Sequence, residues 1–366
     1  MTNNPLPKPR RSTPPPPSSP VSNNYTGEMG EPKPYELISF PKERPPKKAP
    51  AGHHKYLGDR LHGTLFLTLK VQTTLHVSTG VVVMGSDIGS RVPLIKTMVQ
   101  NIDQKLSIQG SSLKGCIRSA YEAITNSTLG VITNKKEYND KYPEERLPST
   151  QHKERLCPAS QVFGASGNNW GWQGLIEFSD ANCENTGFAT GFMPNLWSPR
   201  LSQKAYFDAR GKVAGRKFYY HTIRAIDKGQ NQGITVQQAA KEYTFTTQIQ
   251  FKNLTAAELG TLLIVLGQDP KYAIALKVGG GKPIGMGTMT VEVTAAKVLQ
   301  NKGDLRDRYS SYKPPGSDSM TGTELQQFMQ KNIQAAHSSL VQATQLQKLA
   351  EVLKYPTDRE PPTGMY

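Results

Sequence analysis

Two strand-then-helix units are legible in the alternation of apolar and polar positions. In Gly63–Ser78, Leu65, Leu67, Leu69 and Val71 fall at every second position, which predicts a strand with one buried face. In Gln109–Ile124 the period changes. Leu113, Cys116, Ile117, Ala120, Tyr121 and Ile124 recur at helical spacing and make one apolar stripe. Gly110 supplies the turn before this helix, and Ser111 or Ser112 is the expected cap. The second unit begins at Tyr243. TFTTQIQF alternates as a strand, Thr255 and Glu258 have the spacing of a capping box, and Leu259, Leu262, Leu263 and Leu266 form the helical stripe. Short strands are expected at Leu175–Phe178 and Thr288–Val293.

Strand–helix–strand, repeated, predicts an α+β fold with helices on one face of an antiparallel sheet, the ferredoxin-like arrangement. Around it the pattern weakens. Residues 1–55 read as a basic, proline-rich tail, largely disordered, with one apolar island at Tyr35–Phe40. Residues 56–300 form the domain, with insertions at 79–106, 127–172 and 182–242. Residues 301–366 form a helical C-terminal extension, in which Thr321 and Glu324 make a second capping box. Its apolar positions Leu325, Met329, Ala336, Leu340 and Leu353 lie among many glutamines, so it either leans on the core or meets a partner.

Composition narrows the partner. The net charge is +15, and only +4 of it lies in residues 1–50, which hold 8 basic and 4 acidic side chains and 14 of the 27 prolines. The remaining +11 favours a polyanion bound to the folded part, with nucleic acid ahead of an anionic membrane. No apolar run approaches the length of a bilayer span, and none follows Arg10–Arg11 as a signal peptide would require. A PxxP ligand in the tail is a weak alternative. Cys116, Cys157 and Cys183 are an odd, widely spaced set without CxxC, which fits free thiols in a reducing cytoplasm. A zinc site of Cys157, Cys183, His152 and His221 matches no familiar spacing, so no metal site is expected.

Three stretches could carry chemistry. The start of the helix at 109–124 joins free N–H groups, the positive end of the helix dipole and Lys114 and Arg118, a combination suited to phosphate; the simpler reading is a capped helix with two solvated cations. Lys277–Gly287 contains GGGKPIGMG. It lacks the Ser or Thr of a phosphate-binding Walker loop and leads into a strand, unlike a dinucleotide fingerprint. A flexible backbone beside Lys282 can approach a phosphodiester, or it can be a tight hairpin. RGKVAGRKFYYH sets Arg210, Lys212, Arg216 and Lys217 among Phe218, Tyr219 and Tyr220, a mixture that suits RNA or a strand with buried aromatics. No nucleophilic triad is legible. His53 and His54 read as solvated, His76 as a core or edge histidine, and Asp87 as a loop carboxylate able to position a divalent ion or assist a 2′-hydroxyl. No helix-turn-helix signal supports a DNA-binding regulator.

Four ordered segments resemble the RAMP superfamily, the repeat-associated proteins of CRISPR systems. Gly110-Ser-Ser-Leu-Lys-Gly115 with Ile117-Arg118-Ser119 is similar to that family's "GSSLKG…RS" motif. Cys157-Pro…Phe163-Gly164 followed by Gly174…Phe178-Ser-Asp-Ala181 resembles its "CP…LFG…G…FSDA" block, and Gly279-Gly-Gly-Lys…Gly285-Met-Gly287 its C-terminal glycine-rich loop. Tyr35-Glu-Leu-Ile and Gly215-Arg-Lys-Phe-Tyr219 look like a subgroup found in type III operons. The likeness runs from about residue 35 to 295.

The resemblance implies an RRM-like palm with inserted segments, working in a prokaryotic cytoplasm as a backbone subunit of a type III effector. Its implied partners are crRNA, target RNA and other type III subunits. Guide contacts are carried over to Ser111, Ser112, Lys114, Arg118, Gly280, Gly281 and Lys282, with Arg91, Lys96, Arg216 and Lys217 as further RNA-binding positions. Cleaving members have an aspartate just before a "P-V-I-K"-like segment. Here that segment is Pro93-Leu-Ile-Lys96, Arg91 stands at the aligned position, and Asp87 lies four residues earlier. The resemblance therefore implies a guide-holding subunit without a stable cofactor. The alternatives are a ribonuclease that uses Asp87 with Mg²⁺, and a guide-maturation nuclease that uses His76 or His221.

Overall fold

Alternating residues make the strands, and the order in which the strands pair makes the palm. The computed structural model describes residues 34–130, 132, 140–148, 154–196, 206–226, 232–299, 310 and 319–362. Arg10, Arg11, Pro14–Pro17 and His152 lie outside them. In chain order, β1 is Tyr35–Ser39, β2 Leu61–Val71, β3 Ser78–Met84, β4 Leu94–Met98 and β5 Ser107–Ile108, followed by α1, Gly110–Ile124. Next come α2, Pro158–Phe163, β6, Gly164–Ser166, β7, Gly171–Gln173, β8, Ile176–Phe178, β9, Ala181–Cys183, β10, Ala189–Pro194, β11, Gly215–Tyr219, and β12, Gly233–Gln238. The chain continues through β13, Thr244–Leu254, α3, Ala256–Val265, β14, Leu276–Lys277, and β15, Thr288–Val298, to α4, Gly322–Ser339, and α5, Ala343–Val352.

The main sheet runs β14-β15-β2-β13-β9-β5, with β8 also paired to β13, and all its pairings are antiparallel. Counting β8 and β9 as one broken strand, β15-β2-β13-β8/β9 is the fourth-first-third-second order of a ferredoxin-like sheet, with α1 and α3 as its two helices. Leu65, Leu67, Leu69 and Val71 of β2 are buried, whereas Thr64, Phe66 and Thr68 are half-buried and Lys70 is exposed. Buried β2 residues share one core with Leu113, Ile117 and Tyr121 of α1 and Leu259, Leu262 and Leu263 of α3. The capping box of α3 forms: Thr255 Oγ1 accepts from the Glu258 N–H at 3.1 Å, and the Glu258 carboxylate accepts from the Thr255 N–H at 2.8 Å.

The C-terminal helices lean on this core. A side chain at Gly260 of α3 would stand 1.9 Å from the Asn332 carbonyl of α4, so only glycine allows that approach. Leu346, Leu349 and Val352 of α5 are buried in the same cluster. Thr321 precedes α4 without capping it through its side chain, so the box expected from Thr321 and Glu324 is not made.

Two insertions meet in a second sheet. Residues 79–106, legible only as a long glycine-bearing connection, contain most of the β3–β4 hairpin, and residues 182–242 contain β10 and β12. Together they run β10-β12-β4-β3, with β12 and β4 parallel. Met193, Val236, Ile284 and Met286 form a small separate core that joins this sheet to the glycine-rich loop.

The tail boundary at residue 55 also shifts. β1 pairs with β11 from Tyr35↔Tyr219 to Ser39↔Gly215. Beyond it, Arg146 from the polar 127–172 insertion is 1% exposed and donates to the Pro41 and Glu43 carbonyls and to Asn126. The described residues belong to one compact unit, Lys33–Tyr366.

Candidate nucleic-acid interface

The first turn of α1 is fixed from a distance. Gln109 is its N-cap residue and makes no side-chain cap. The Gly110 N–H instead donates to the Asp180 carboxylate at 2.7 Å. This corrects the cap expected from Ser111 or Ser112, and it leaves Ser111 exposed and Ser112 half-buried. A carboxylate at a helix start complements the dipole there. Lys114 is half-buried with Nζ 3.4 Å from the Ile176 carbonyl. Burial holds its pKa below the ordinary lysine range, the Arg118 charge adds to this, and Glu177 opposes it.

Arg118 is turned inward. Its Nε donates to Glu122 at 2.7 Å and its Nη1 to the Gly164 carbonyl at 2.9 Å. Glu122 receives a second guanidinium, that of Arg216 on β11, at 3.4 Å. Arg216 is 8% exposed and also donates to the Ser127 and Thr128 carbonyls. Burial lowers its pKa, and Glu122 works against that. Strand alternation separates the neighbours: Arg216 and Phe218 point in, and Lys217 and Tyr219 are half-buried on the other side.

The glycine-rich loop is anchored from below. Lys277 is 5% exposed, and its Nζ donates to the Gly285 carbonyl and to Thr288 Oγ1, both at 3.2 Å. Burial, with the nearby Lys282 charge, lowers its pKa to about 7. His221 lies 3.0 Å from both Thr288 Oγ1 and the Ala275 carbonyl, and burial lowers its pKa to about 3. Gly285 has φ +91°, and a side chain there would stand 2.4 Å from Thr222 Oγ1. Above this base, Lys282 opens a short 3₁₀ turn through Ile284 and is half-buried. Gly281 is buried and Gly280 exposed.

Helix α1 touches the strand that leads into the glycine-rich loop. The Cys116 thiol of α1 donates to the Lys277 carbonyl at 3.3 Å, and burial raises its pKa while the Lys282 charge lowers it. Lys96 joins them indirectly. It is half-buried on β4 and its charge reaches His76, whose carbonyl accepts from the Gly280 N–H at 2.9 Å. Asp87 and Arg91 are exposed in the connection that closes the β3–β4 hairpin, beyond the last pair, Met84↔Leu94. Ser86 Oγ is 3.4 Å from the Asp87 carboxylate. Magnesium takes one or two carboxylates besides water and phosphate, and Asp87 is the one acidic residue of this connection.

The histidines sit elsewhere than a nuclease reading needs. His76 and His221 are each 1% exposed. His53 is half-buried with Nε2 2.8 Å from the Gln173 carbonyl, so it is not simply solvated. Cys157 bonds to Thr128 and Ser160, and among the described residues no three His, Cys, Asp or Glu side chains are gathered as metal ligands. No described helix is long and apolar enough to cross a membrane.

Sequence reasoning gave no role to Asp180, Glu122 or Gly115, although Asp180 and Gly115 stand within the motifs quoted above. The first two act on partners 70 and 94 positions away. Gly115, alone in a helical stripe, did carry a signal, because glycine inside a helix costs stability unless something requires it.

Among curated proteins no match is found. The RAMP superfamily model matches residues 68–290, from the middle of β2 to the start of β15 and including α1 and the glycine-rich loop. Proteins of this family generally bind RNA and assemble with other CRISPR subunits. With the sheet order, the two helices and the glycine loop in the places that match covers, the chain belongs to the RAMP superfamily.

Proposed function

We propose that this chain is a guide-RNA-binding backbone subunit of a type III CRISPR RNA-targeting complex. It holds the crRNA backbone and presents the bases for pairing with target RNA. The observation that supports this reading is the contact of Cys116 on α1 with Lys277, just before the glycine loop, which joins the helix carrying Ser111, Ser112 and Lys114 to the segment that leads into Gly280, Gly281 and Lys282. Such a surface offers hydroxyls, N–H groups and cations, and contacts of this kind position a strand rather than select its sequence. Sequence is then left to base pairing. Arg118 and Arg216 support the surface through Glu122.

In the test, Lys114→Ala and Lys282→Ala are combined and RNA binding is measured over a range of salt. Affinity falls uniformly across guide sequences, and the slope of log K against log salt drops by about 1 per lysine that contacts phosphate. Unchanged affinity and slope would remove the assignment. A second reading, cleavage of target RNA with Mg²⁺, is favoured only by the exposure of Asp87 on the hairpin. Loss of one band from the cleavage pattern in Asp87→Ala would establish it, and retention of every band would exclude Asp87.

A further inference from the structure

The side of α1 that begins at Ser111 does not end at the first turn. Ser111, Gly115, Ser119 and Glu122 are spaced four, four and three apart, so they line one side of the helix. That side opens into a cleft of about 370 Å³ against β11, lined by Gly115, Arg118, Arg216, Lys217, Tyr142 and Tyr206 among others. The volume falls within the range of small-molecule sites, about 300–1,000 Å³.

Three observations point to an occupant. A glycine within a helix is destabilising relative to alanine, yet a side chain at Gly115 would meet no described atom within 4 Å. Packing among the described residues therefore does not ask for glycine there, and the bare helix surface leaves room for close approach from outside. Arg216, nine-tenths buried, also lines the cleft and brings a guanidinium charge to it, with its Nη2 engaged by Glu122 and the Ser127 and Thr128 carbonyls and its Nε covered. Also in the lining, Lys217 Nζ lies 3.3 Å from the Tyr206 hydroxyl and 3.9 Å from the Tyr35 ring centre, and Tyr206 stacks on Tyr35 at 5.9 Å. Three cations against the Glu122 carboxylate leave the lining at +2, beside flat aromatic rings. A planar, anionic group fits this chemistry.

We propose that this cleft takes one unstacked ribonucleotide of the bound RNA strand. Its base lies against Tyr206 or Tyr142, and its sugar-phosphate passes over Gly115 toward Lys217 and Arg216. RNA-binding proteins commonly hold splayed bases on aromatic side chains with cations beside them. A nucleotide of the strand is favoured over a free one because the Ser111–Gly115 side runs unbroken from the backbone contact into the cleft. The inference rests on the RNA-binding reading above.

The test uses the full chain and RNAs in which a single 4-thiouridine is moved along the strand, irradiated, and the attached peptide identified. Attachment to Tyr142, Tyr206 or Lys217 is expected from one register position. Gly115→Leu, which adds bulk in open space and favours the helix, removes that attachment and weakens RNA binding about tenfold, the size of one lost base stack. If adenosine monophosphate displaces the attachment while strand binding is undisturbed, the cleft belongs to a free nucleotide and the strand assignment is overturned. If RNA binds normally but no position attaches and Gly115→Leu changes nothing, the cleft assignment is wrong and the backbone-holding reading stands. If the wild-type chain binds no RNA, both fall.

Discussion

The two halves of the proposed RNA cradle carry glycine for opposite reasons. In the loop, a side chain placed at Gly279, Gly281, Gly285 or Gly287 would stand 1.9–2.4 Å from a neighbouring atom, and only Gly280 has its nearest neighbour as far as 3.7 Å. Packing demands those four glycines, and the loop is the joint between the palm and the second sheet. On α1, nothing described approaches the place of a side chain at Gly115. A run of glycines that reads as a phosphate loop is thus explained mostly by the fold, while a single glycine in an ordinary-looking helix is not. Of the glycines of α1 and the loop, Gly280 and Gly115 are the two that packing among the described residues does not account for.

The largest effect that tests this contrast is at the inner end of the α1 side. Glu122 is 6% exposed and bridges Arg118 and Arg216. Glu122→Ala leaves two guanidiniums facing one another with their charge partner gone, and breaking a buried pair in this way costs about 3–5 kcal/mol. Urea unfolding checks it. A loss below about 1 kcal/mol would mean that the backbone carbonyls alone hold the arginines, and that the floor of the cleft does not depend on α1.

Beneath the loop, the sharpest measurement is pH dependence. Lys277 has its folded pKa lowered to about 7 from an ordinary value of 10.5. Between those values the unfolded chain carries the proton and the folded chain does not, so stability rises with pH. The destabilisation is fully present below about pH 7 and is relieved as pH climbs through that window, by up to about 1.4 kcal/mol per pH unit. His221, lowered to about 3 from 6.5, acts with the same sign at lower pH, so stability also rises between pH 3 and 6.5. The difference in unfolding free energy between wild type and Lys277→Met, followed from pH 6 to 10, isolates the lysine. A constant difference would show that the folded loop keeps Lys277 charged and solvated.

How much of this was legible follows from distance along the chain. The periods of β2, α1, β13 and α3 are local properties, and each lies where its alternation or stripe puts it, except that β2 ends at Val71, where the alternation stops, and not at the expected Ser78. The ferredoxin-like order follows from those elements once their right number is seen. The second sheet does not, because Met98 takes the Gln237 side chain as its partner across 139 positions, and neither segment alone has a face that demands the other. Arg146 is the plainest case. In a stretch of charges nothing marks it as the one that will be buried, since its partners are carbonyls 103 and 105 positions away. At the interface, the residue types around Lys114 and Lys282 were readable from composition. That Asp180 caps α1, and that Arg118 and Arg216 turn inward to share Glu122, were not, because each needs a partner the local sequence does not contain.

The smallest effect decides the comparison most directly. Gly115→Ala adds one methyl in open space within a helix, so it raises stability by about 0.5–1 kcal/mol. At Gly285 the same change forces a side chain into φ +91° against Thr222, and the left-handed backbone alone costs about 1–2 kcal/mol. The two substitutions therefore move thermal unfolding in opposite directions. RNA affinity separates them further. Gly285→Ala weakens binding only as far as it loosens the loop, whereas Gly115→Ala weakens it in a protein that has become more stable. Stability gained and affinity lost in one variant is the signature of a glycine kept for a ligand. A Gly115→Ala chain that is more stable and binds RNA as tightly as wild type would leave the two halves alike, with neither glycine set by what the surface holds.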